Sequence, residues 1–213
     1  MKITERLRRE CDTTWEKIIN HRFIIELYEG FLPLEKFRFY ILQDYNYLAG
    51  LVRALALTAS KSDFMLAADI LSIAQEESDT ELKNYEKILN GLGLTIEEAI
   101  DTERSMITTA YSDFLISSAH KGNSCEGLAA VLPCFWSYVE ISERNKNRLE
   151  RNENELYREW ARAYLPENAP EIARKIREII DTSDTRYGDV KEIFADASTY
   201  ELRFWDMAYD KKI

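Results

Sequence analysis

Helical periodicity runs along almost the whole chain and limits what it can fold into. Apolar residues recur at three- and four-residue spacing, and no segment shows the sustained alternation that predicts a β-strand. The chain has only 7 glycines and 4 prolines among its 213 residues, so few positions interrupt a helix. Helices with one apolar side must bury that side against each other. We therefore predict an all-α fold, a single-domain helical bundle over residues 1–213.

Prolines, glycines and capping residues divide the chain into predicted helices. Pro33 can begin a long helix because proline is tolerated in a first turn, and Thr95 with Glu98 has the pattern of a capping box. A loop is expected from Pro166 to Pro170. The predicted helices cover about 3–19, a short segment after position 21, 34–59, 62–89, 95–118, a segment from the turn at 122–124 to about 151, 155–164, 171–181 and 190–209.

Charge and cysteine content restrict the class of partner. The net charge of −10 argues against nucleic acid and against anionic membrane surfaces, which both select basic proteins. No segment approaches the roughly 18 consecutive apolar residues of a membrane span, and the first ten residues lack the apolar core of a secretory signal. Cys11, Cys125 and Cys134 form no CxxC pair. These features predict a cytoplasmic protein with free thiols and without a zinc site.

Cys134 lies in an aromatic stretch and is a candidate nucleophile because of the residues around it. It follows Pro133, which removes one backbone hydrogen bond and is expected to distort the helix beside the thiol. Tyr138 is four residues further on, so the phenol and the thiol share a helical face. A thiol beside a hydroxyl is a candidate nucleophile, although a buried structural role is commoner for a cysteine in an apolar helix. We expect that structural role for Cys11 and Cys125.

Two carboxylates also lie among aromatic residues. Asp44 is three residues before Tyr47, and an aspartate in such surroundings is costly unless it meets a donor or a cation. The donor can be an amino group on a ring-shaped ligand or a group of a neighbouring helix. Glu201 lies in the last predicted helix, where burial would raise its pKa and let it act as acid or base near neutral pH; a salt bridge, for example to Arg203, is the alternative. Further aromatic stretches contain Tyr111 and Tyr164.

These motifs, in this order and at this spacing, resemble one known family over nearly the whole chain. The segments that carry the resemblance are His21-Arg22-Phe23 with Gly30, Phe37 through Tyr40, Gln43-Asp44-Tyr45, Tyr47-Leu48, Ala110-Tyr111, Pro133-Cys134, Trp136-Ser137-Tyr138, Tyr157, Trp160, Tyr164, Tyr200-Glu201 and Phe204-Trp205. The family is TenA, also called thiaminase II or aminopyrimidine aminohydrolase.

The resemblance implies a haem-oxygenase-like helical fold and a homotetramer. It also implies hydrolysis of 4-amino-5-aminomethyl-2-methylpyrimidine to the hydroxymethyl pyrimidine in thiamin salvage, with thiamin as a further substrate and no metal or other cofactor. By similarity, Cys134 is the nucleophile, Glu201 is the acid/base and Asp44 binds the aminopyrimidine. The residues implied to line the pocket are Tyr47, Tyr111, Tyr138 and Tyr164.

Three other interpretations stay open at this point. A haem-binding protein of the same fold would use His21 as an axial ligand, although a histidine there is more often a helix cap. A metal oxidase would need a carboxylate-rich site built from Glu76, Glu77 and Glu140, because the chain has only 2 histidines. The third is a protein that binds the pyrimidine without turning it over.

Overall fold

The computed structural model describes residues 1–165 and 171–213, and the side chains of all of these except those at 81 and 82. Every regular element in this part is helical, which confirms the predicted all-α class. The predicted loop from Pro166 to Pro170 lies outside the described residues. The described helices are α1 (Ile3–Glu10), α2 (Asp12–Ile19), α3 (Arg22–Glu29), α4 (Leu34–Ser60), α5 (Phe64–Leu92), α6 (Ile96–Ile100), α7 (Met106–Lys121), α8 (Ser124–Leu149), α9 (Glu155–Arg162), α10 (Ile172–Thr182) and α11 (Tyr187–Asp210).

The long helices α4, α8 and α11 pack against one another and form the centre of the bundle. Large aromatic side chains fill the space between them, since aromatic rings bury much apolar area at little cost in side-chain entropy. Tyr40 on α4 stacks on Trp205 of α11 with ring centroids 5.2 Å apart, and Phe23 of α3 packs against both rings. All three side chains are fully buried. This packing fixes α4 beside α11, and α8 adjoins both helices.

Glycine permits the closest approaches of α4 to its neighbours. A Cβ added to Gly50 would lie 2.7 Å from the Cβ of Ser112, so α4 and α7 could not pack at this distance with a larger residue. A Cβ added to Gly127 of α8 would lie even closer to Oγ1 of Thr58 on α4. Small residues at both crossings therefore hold α7 and α8 tightly against α4.

The predicted helix 3–19 is wrong, because the chain forms two helices with a break at Cys11. Thr4 donates from its backbone N and its Oγ1 to Asp181 of α10 at 2.9 and 2.7 Å. Trp15 donates from Nε1 to Oγ of Ser198 on α11 at 3.0 Å. The break therefore lies between two segments that bond to different helices.

The predicted helix 95–118 is also wrong, since α6 ends at Ile100 and α7 begins at Met106. The fully buried side chain of Gln43 explains the interruption. Its Nε2 donates to the Glu103 carbonyl at 2.9 Å, and its Oε1 accepts from the Ser105 N–H at 2.9 Å. A continuous helix would use these backbone groups internally and leave the amide of Gln43 without partners.

The other predicted helices agree with the structure to within three residues. Asp63, rather than the predicted residue 62, caps α5, and its side chain accepts from the Leu66 N–H. Gly93 ends α5 in the left-handed conformation, with φ of +65°. Helix α8 continues without interruption through Pro133. Within the described part of the chain, no helix combines the length and the apolar composition that crossing a bilayer requires.

Candidate active site

Cys134 on α8 lies in the wall of a cavity. The same wall includes Asp44 and Tyr47 from α4, Tyr138 from α8 and Tyr164 from the turn after α9. Tyr138 and Tyr164 contact each other with ring centroids 4.8 Å apart. Five of the seven predicted site residues therefore meet at one cavity, although they come from three separate regions of the chain.

The other two predicted residues, Glu201 and Tyr111, are not among the side chains that line the cavity but pack next to it. The Tyr111 hydroxyl donates to Oε1 of Glu201 at 2.7 Å, and the Tyr111 ring packs 4.8 Å from that of Tyr47. The alternative partner of Glu201, Arg203, instead pairs with Asp206 at 3.2 Å. Glu201 is thus held by a neutral hydroxyl and has no cation beside it in the described residues.

Asp44 is held by two tyrosine hydroxyls. Its Oδ2 accepts from Tyr40 Oη at 3.2 Å and from the hydroxyl of Tyr85, which lies on α5. Tyr40 also bonds to the Tyr138 hydroxyl at 3.0 Å, so the network joins α4, α5 and α8. Burial raises the pKa of Asp44 to about 6, and the two hydroxyls oppose that rise. Asp44 is therefore mostly a carboxylate at neutral pH, in a fixed orientation.

Glu201 has the opposite protonation state at neutral pH. Burial raises its pKa to about 8, the charge of Asp44 adds to the rise, and the Tyr111 hydrogen bond opposes it. Only 3% of the Glu201 surface is exposed, which explains why burial dominates. A carboxyl group that stays protonated at neutral pH can donate a proton to a bound base. The two predicted carboxyl groups are thus suited to different roles.

The pKa of the Cys134 thiol is raised well above its ordinary value. Burial is the largest cause, and the neighbouring charge of Glu201 is the next; the Tyr47 hydroxyl opposes them. That hydroxyl is itself buried and has no hydrogen-bond partner of good geometry in the described part of the chain. The described side chains of the cavity wall include no lysine, arginine or histidine. The thiol is therefore neutral in the free protein, and a cationic ligand would favour the thiolate.

Glu77 and Tyr85, which both lie on α5, are site residues that the sequence did not predict. Glu77 was considered only as a metal ligand, yet its side chain lines the cavity and is 8% exposed. Burial, with the charge of Asp44, raises the pKa of Glu77 to about 8. A sequence signal existed, since Glu77 is four residues after Ile73 and therefore lies on the buried apolar face of α5. Tyr85 carries no comparable signal.

His21 acts as a helix cap. Its Nδ1 accepts from the Phe23 N–H at 3.1 Å at the start of α3, and its Nε2 lies 3.4 Å from Asp206. Both ring nitrogens are therefore engaged, and His21 is not among the residues that line the cavity. The structure gives no support to an axial haem ligand at this position.

The three glutamates considered for a metal site do not act together. Glu76 pairs with Lys175 at 2.7 Å, and Glu140 pairs with Arg8 at 2.8 Å. In the described residues, no group of three or more His, Cys, Asp or Glu side chains is arranged to hold a metal ion. Two of the three carboxylates already have cationic partners, while Glu77 lies at the cavity.

Known proteins of one family are similar to this chain over nearly its whole length. The family model described as the TENA/THI-4/PQQC family matches residues 8–211. An aminopyrimidine aminohydrolase of Halalkalibacterium halodurans is 29% identical, with 100% of this chain and 98% of that protein aligned. An aminopyrimidine aminohydrolase of Helicobacter pylori is 27% identical, with 98% of this chain and 99% of that protein aligned.

Solved structures agree with the described fold. A TenA homologue from P. horikoshii OT3 is 46% identical, with a TM-score of 0.95 and coverage of 99% of both chains. A domain of unknown function with a heme oxygenase-like fold from Shewanella denitrificans is 16% identical, with a TM-score of 0.79 and coverage of 98% of this chain and 92% of that one. The second likeness concerns the fold alone. Together they confirm the predicted haem-oxygenase-like helical fold.

Proposed function

The chain belongs to the TENA/THI-4/PQQC family, and from this premise we propose that it is an aminopyrimidine aminohydrolase of thiamin salvage. Its substrate is 4-amino-5-aminomethyl-2-methylpyrimidine, which it hydrolyses to the 5-hydroxymethyl pyrimidine and ammonia. Thiamin is a second substrate, cleaved at the same methylene carbon. The observation that carries the proposal is that Cys134 and Asp44 share one cavity wall, with Glu201 packed beside it.

Asp44 orients the ring in this proposal. Its carboxylate is fixed by Tyr40 and Tyr85, and it accepts a hydrogen bond from the ring amino group. Tyr138 and Tyr164 present aromatic surfaces along the cavity, which suit a flat heterocycle. Together, the Asp44 carboxylate and these two aromatic rings hold a carbon of the pyrimidine ring near the Cys134 thiol.

Covalent catalysis then divides one difficult substitution into easier steps. The Cys134 sulfur bonds to a ring carbon while a ring nitrogen takes the proton of Glu201, and the thiol proton passes to the Glu201 carboxylate. Electrons return through the ring and form a double bond to the exocyclic methylene, and the C–N bond of the protonated aminomethyl group breaks with its electron pair on nitrogen, releasing ammonia. Water bonds to the methylene and gives up a proton to solvent. The C–S bond then breaks with its electron pair on sulfur, and the sulfur takes the proton from the ring nitrogen, which restores the thiol and the aromatic ring.

Two further tyrosines support these groups. Tyr111 holds Glu201 through its 2.7 Å hydrogen bond and sets the direction of its carboxyl group. The Tyr47 hydroxyl lies beside the thiol and favours the thiolate, so it can steady the sulfur as the C–S bond forms and breaks. In this proposal no step requires a metal or other cofactor.

The proposal includes the wider setting of the enzyme. Residues 1–213 act as one catalytic domain in a cytoplasmic homotetramer. Support for the location comes from the free thiols of Cys11, Cys125 and Cys134, which suit a reducing compartment. The tetramer rests on the family resemblance, and the net charge of −10 supports a role without nucleic acid or membrane partners.

Ammonia release from the aminomethyl pyrimidine tests the function directly. The wild type is expected to release ammonia, whereas Cys134→Ser and Glu201→Gln should lose at least about a hundredfold in kcat, because each lacks a group that acts in the covalent steps. Cys125→Ser is the matched control. Cys125 is also a buried thiol, but it does not line the cavity, and its Sγ donates to Oγ of Ser183 at 3.2 Å. Equal rates in all four proteins would refute the mechanism. Tight pyrimidine binding without ammonia release from the wild type would favour a binding protein.

A further inference from the structure

Glu77 has an unusual position for a buried carboxyl group. It lines the cavity together with Asp44 and Cys134, and only 8% of its surface is exposed. In the described part of the chain its carboxyl group makes no hydrogen bond and no ion pair, whereas Asp44 has two hydroxyl donors. A buried carboxyl group without a partner is costly, and the cost falls when a cation or a donor arrives.

Among the described residues, the groups that face Glu77 provide no cation for it. Asp44 from α4, Cys134 from α8 and Glu76 on its own helix are all acidic, and their charges oppose ionisation of Glu77 or of the thiol. Lys175 of α10 is nearby but pairs with Glu76.

A second cavity next to Glu77 also provides no cation that pairs with it in the described residues. This cavity is lined by Glu77 together with the aromatic Tyr45 and Tyr85 and the side chain of Arg53. Arg53 is exposed and forms no ion pair with Glu77. A cation for Glu77 must therefore be brought by the ligand.

The proposed substrate carries such a cation at the required place. Its 5-aminomethyl group is a primary alkylamine and is protonated near neutral pH, as lysine is. Ring positions 4 and 5 are adjacent, so a side chain that binds the 5-substituent lies next to Asp44, which binds the 4-amino group. Glu77 satisfies this condition, because it lines the same wall and feels the charge of Asp44.

We infer that Glu77 is a specificity residue that binds the ammonium of the substrate's aminomethyl group; the inference rests on the proposed function. The charge that Glu77 recognises disappears in the reaction, because the product carries a neutral hydroxymethyl group. The same carboxylate therefore selects the amine on entry and loses its main attraction for the ligand after turnover. Retention of the proton on the leaving nitrogen also lets the C–N bond break to neutral ammonia.

Binding of substrate and product to Glu77→Gln tests this role. Calorimetry in a Cys134→Ser background prevents turnover, and Glu76→Gln, one residue earlier on α5, is the matched control. We expect Glu77→Gln to weaken the aminomethyl pyrimidine about 30-fold or more, since a desolvated charge pair loses one partner. Binding of the hydroxymethyl pyrimidine should change by less than about threefold, within the usual effect of a neutral replacement, and it also reports that the variant is folded.

The proton balance gives a second readout that a structural role would not move. Arrival of the ammonium displaces a proton from Glu77 near pH 7, so the wild-type background releases protons when the amine binds. Comparison of binding heats in two buffers counts these protons. The count should fall in Glu77→Gln, change far less in Glu76→Gln, whose charge contributes least to the raised pKa of Glu77, and be largely restored in Glu77→Asp.

Each outcome decides a different statement. Equal weakening of amine and alcohol by Glu77→Gln, or no weakening of either, overturns the inference even when the wild type releases ammonia. A selective loss of amine binding supports the inference even if ammonia release fails, in which case only the proposed catalysis is refuted. If the protein with Glu77 and Cys134 intact binds neither pyrimidine, both proposals are overturned.

Discussion

Removal of one of the two tyrosine hydroxyls that donate to Asp44 should move the acid limb of the pH–activity profile to higher pH. In the proposed reaction Asp44 must be ionised and Glu201 must be protonated, and their pKa values of about 6 and about 8 predict a bell-shaped profile. Tyr85 and Tyr40 both donate to Oδ2 of Asp44, and Tyr85 is the closer donor. Tyr85→Phe removes that donor while it keeps the ring and its packing.

The size of the effect follows from the strength of the lost bond. A hydrogen bond to a charged group contributes about 1.5–3 kcal/mol, and about 1.4 kcal/mol corresponds to a tenfold change in a protonation equilibrium. Tyr40 remains as a donor and part of the site relaxes, so we take the lower end of this range. The acid limb should then move upward by about one pH unit. At pH 7 the carboxylate fraction of Asp44 would fall from about nine-tenths to about half.

The assay is kcat/KM for ammonia release between pH 5 and 9, and every protein compared carries Glu77→Gln so that titration of Glu77 does not enter the profile. Tyr45→Phe is the control, because the Tyr45 ring packs 5.7 Å from that of Tyr85 but its hydroxyl makes no bond to Asp44. Titration of the substrate is common to all three proteins and cancels in the comparison. An unchanged acid limb in Tyr85→Phe, or an equal shift in Tyr45→Phe, would refute the assigned role of the network. The alkaline limb should stay in place.

Three further predictions concern stability. Glu77 is protonated in the fold at a pH where the unfolded chain has released its proton, so its stabilising contribution is lost as the pH rises from about 4.5 to about 8. Glu77→Gln should raise stability in urea unfolding by about 1–3 kcal/mol at pH 8.5 and leave it unchanged at pH 4, and Glu76→Gln should show a much smaller gain between these pH values. Gly50→Ala should lower the free energy of unfolding by about 1–3 kcal/mol despite the better helix propensity of alanine, because its Cβ would meet Ser112; a gain in stability would contradict the close helix contact. His21→Ala should cost about 1 kcal/mol through loss of the cap on α3, and His21→Asn should recover most of it; equal losses would exclude a capping role.

Local signals were sufficient to predict most helices but not where two of them break. Thr95 and Glu98 form the predicted capping box at the start of α6, because both partners lie within one turn. The end of α6 depends on Gln43, which lies more than fifty residues away in sequence and bonds to the loop before α7. The break at Cys11 likewise separates segments with different distant partners. No periodicity within a helix carries that information.

The candidate site shows the same division between local and distant information. Cys134 with Tyr138, and Asp44 with Tyr47, were found because each pair repeats at helical spacing inside an aromatic stretch. The order of those stretches along the chain then connected them through the family resemblance. Glu77 was missed because a glutamate beside another glutamate on α5 suggests a solvated surface, although its four-residue spacing from Ile73 places it on the buried face. The roles of all these residues stay predictions until the variants are measured.

The raised pKa of Cys134 also protects the protein from its own reactive sulfur. Peroxides and alkylating electrophiles attack thiolates far faster than thiols, so a neutral thiol survives in an oxidising or electrophile-rich cell. Protection would end only when a ligand arrives with a positive charge, and that ligand then occupies the path to the sulfur. A cavity whose described side chains are acidic or neutral thus keeps the thiol unreactive until the substrate brings a positive charge and covers the sulfur.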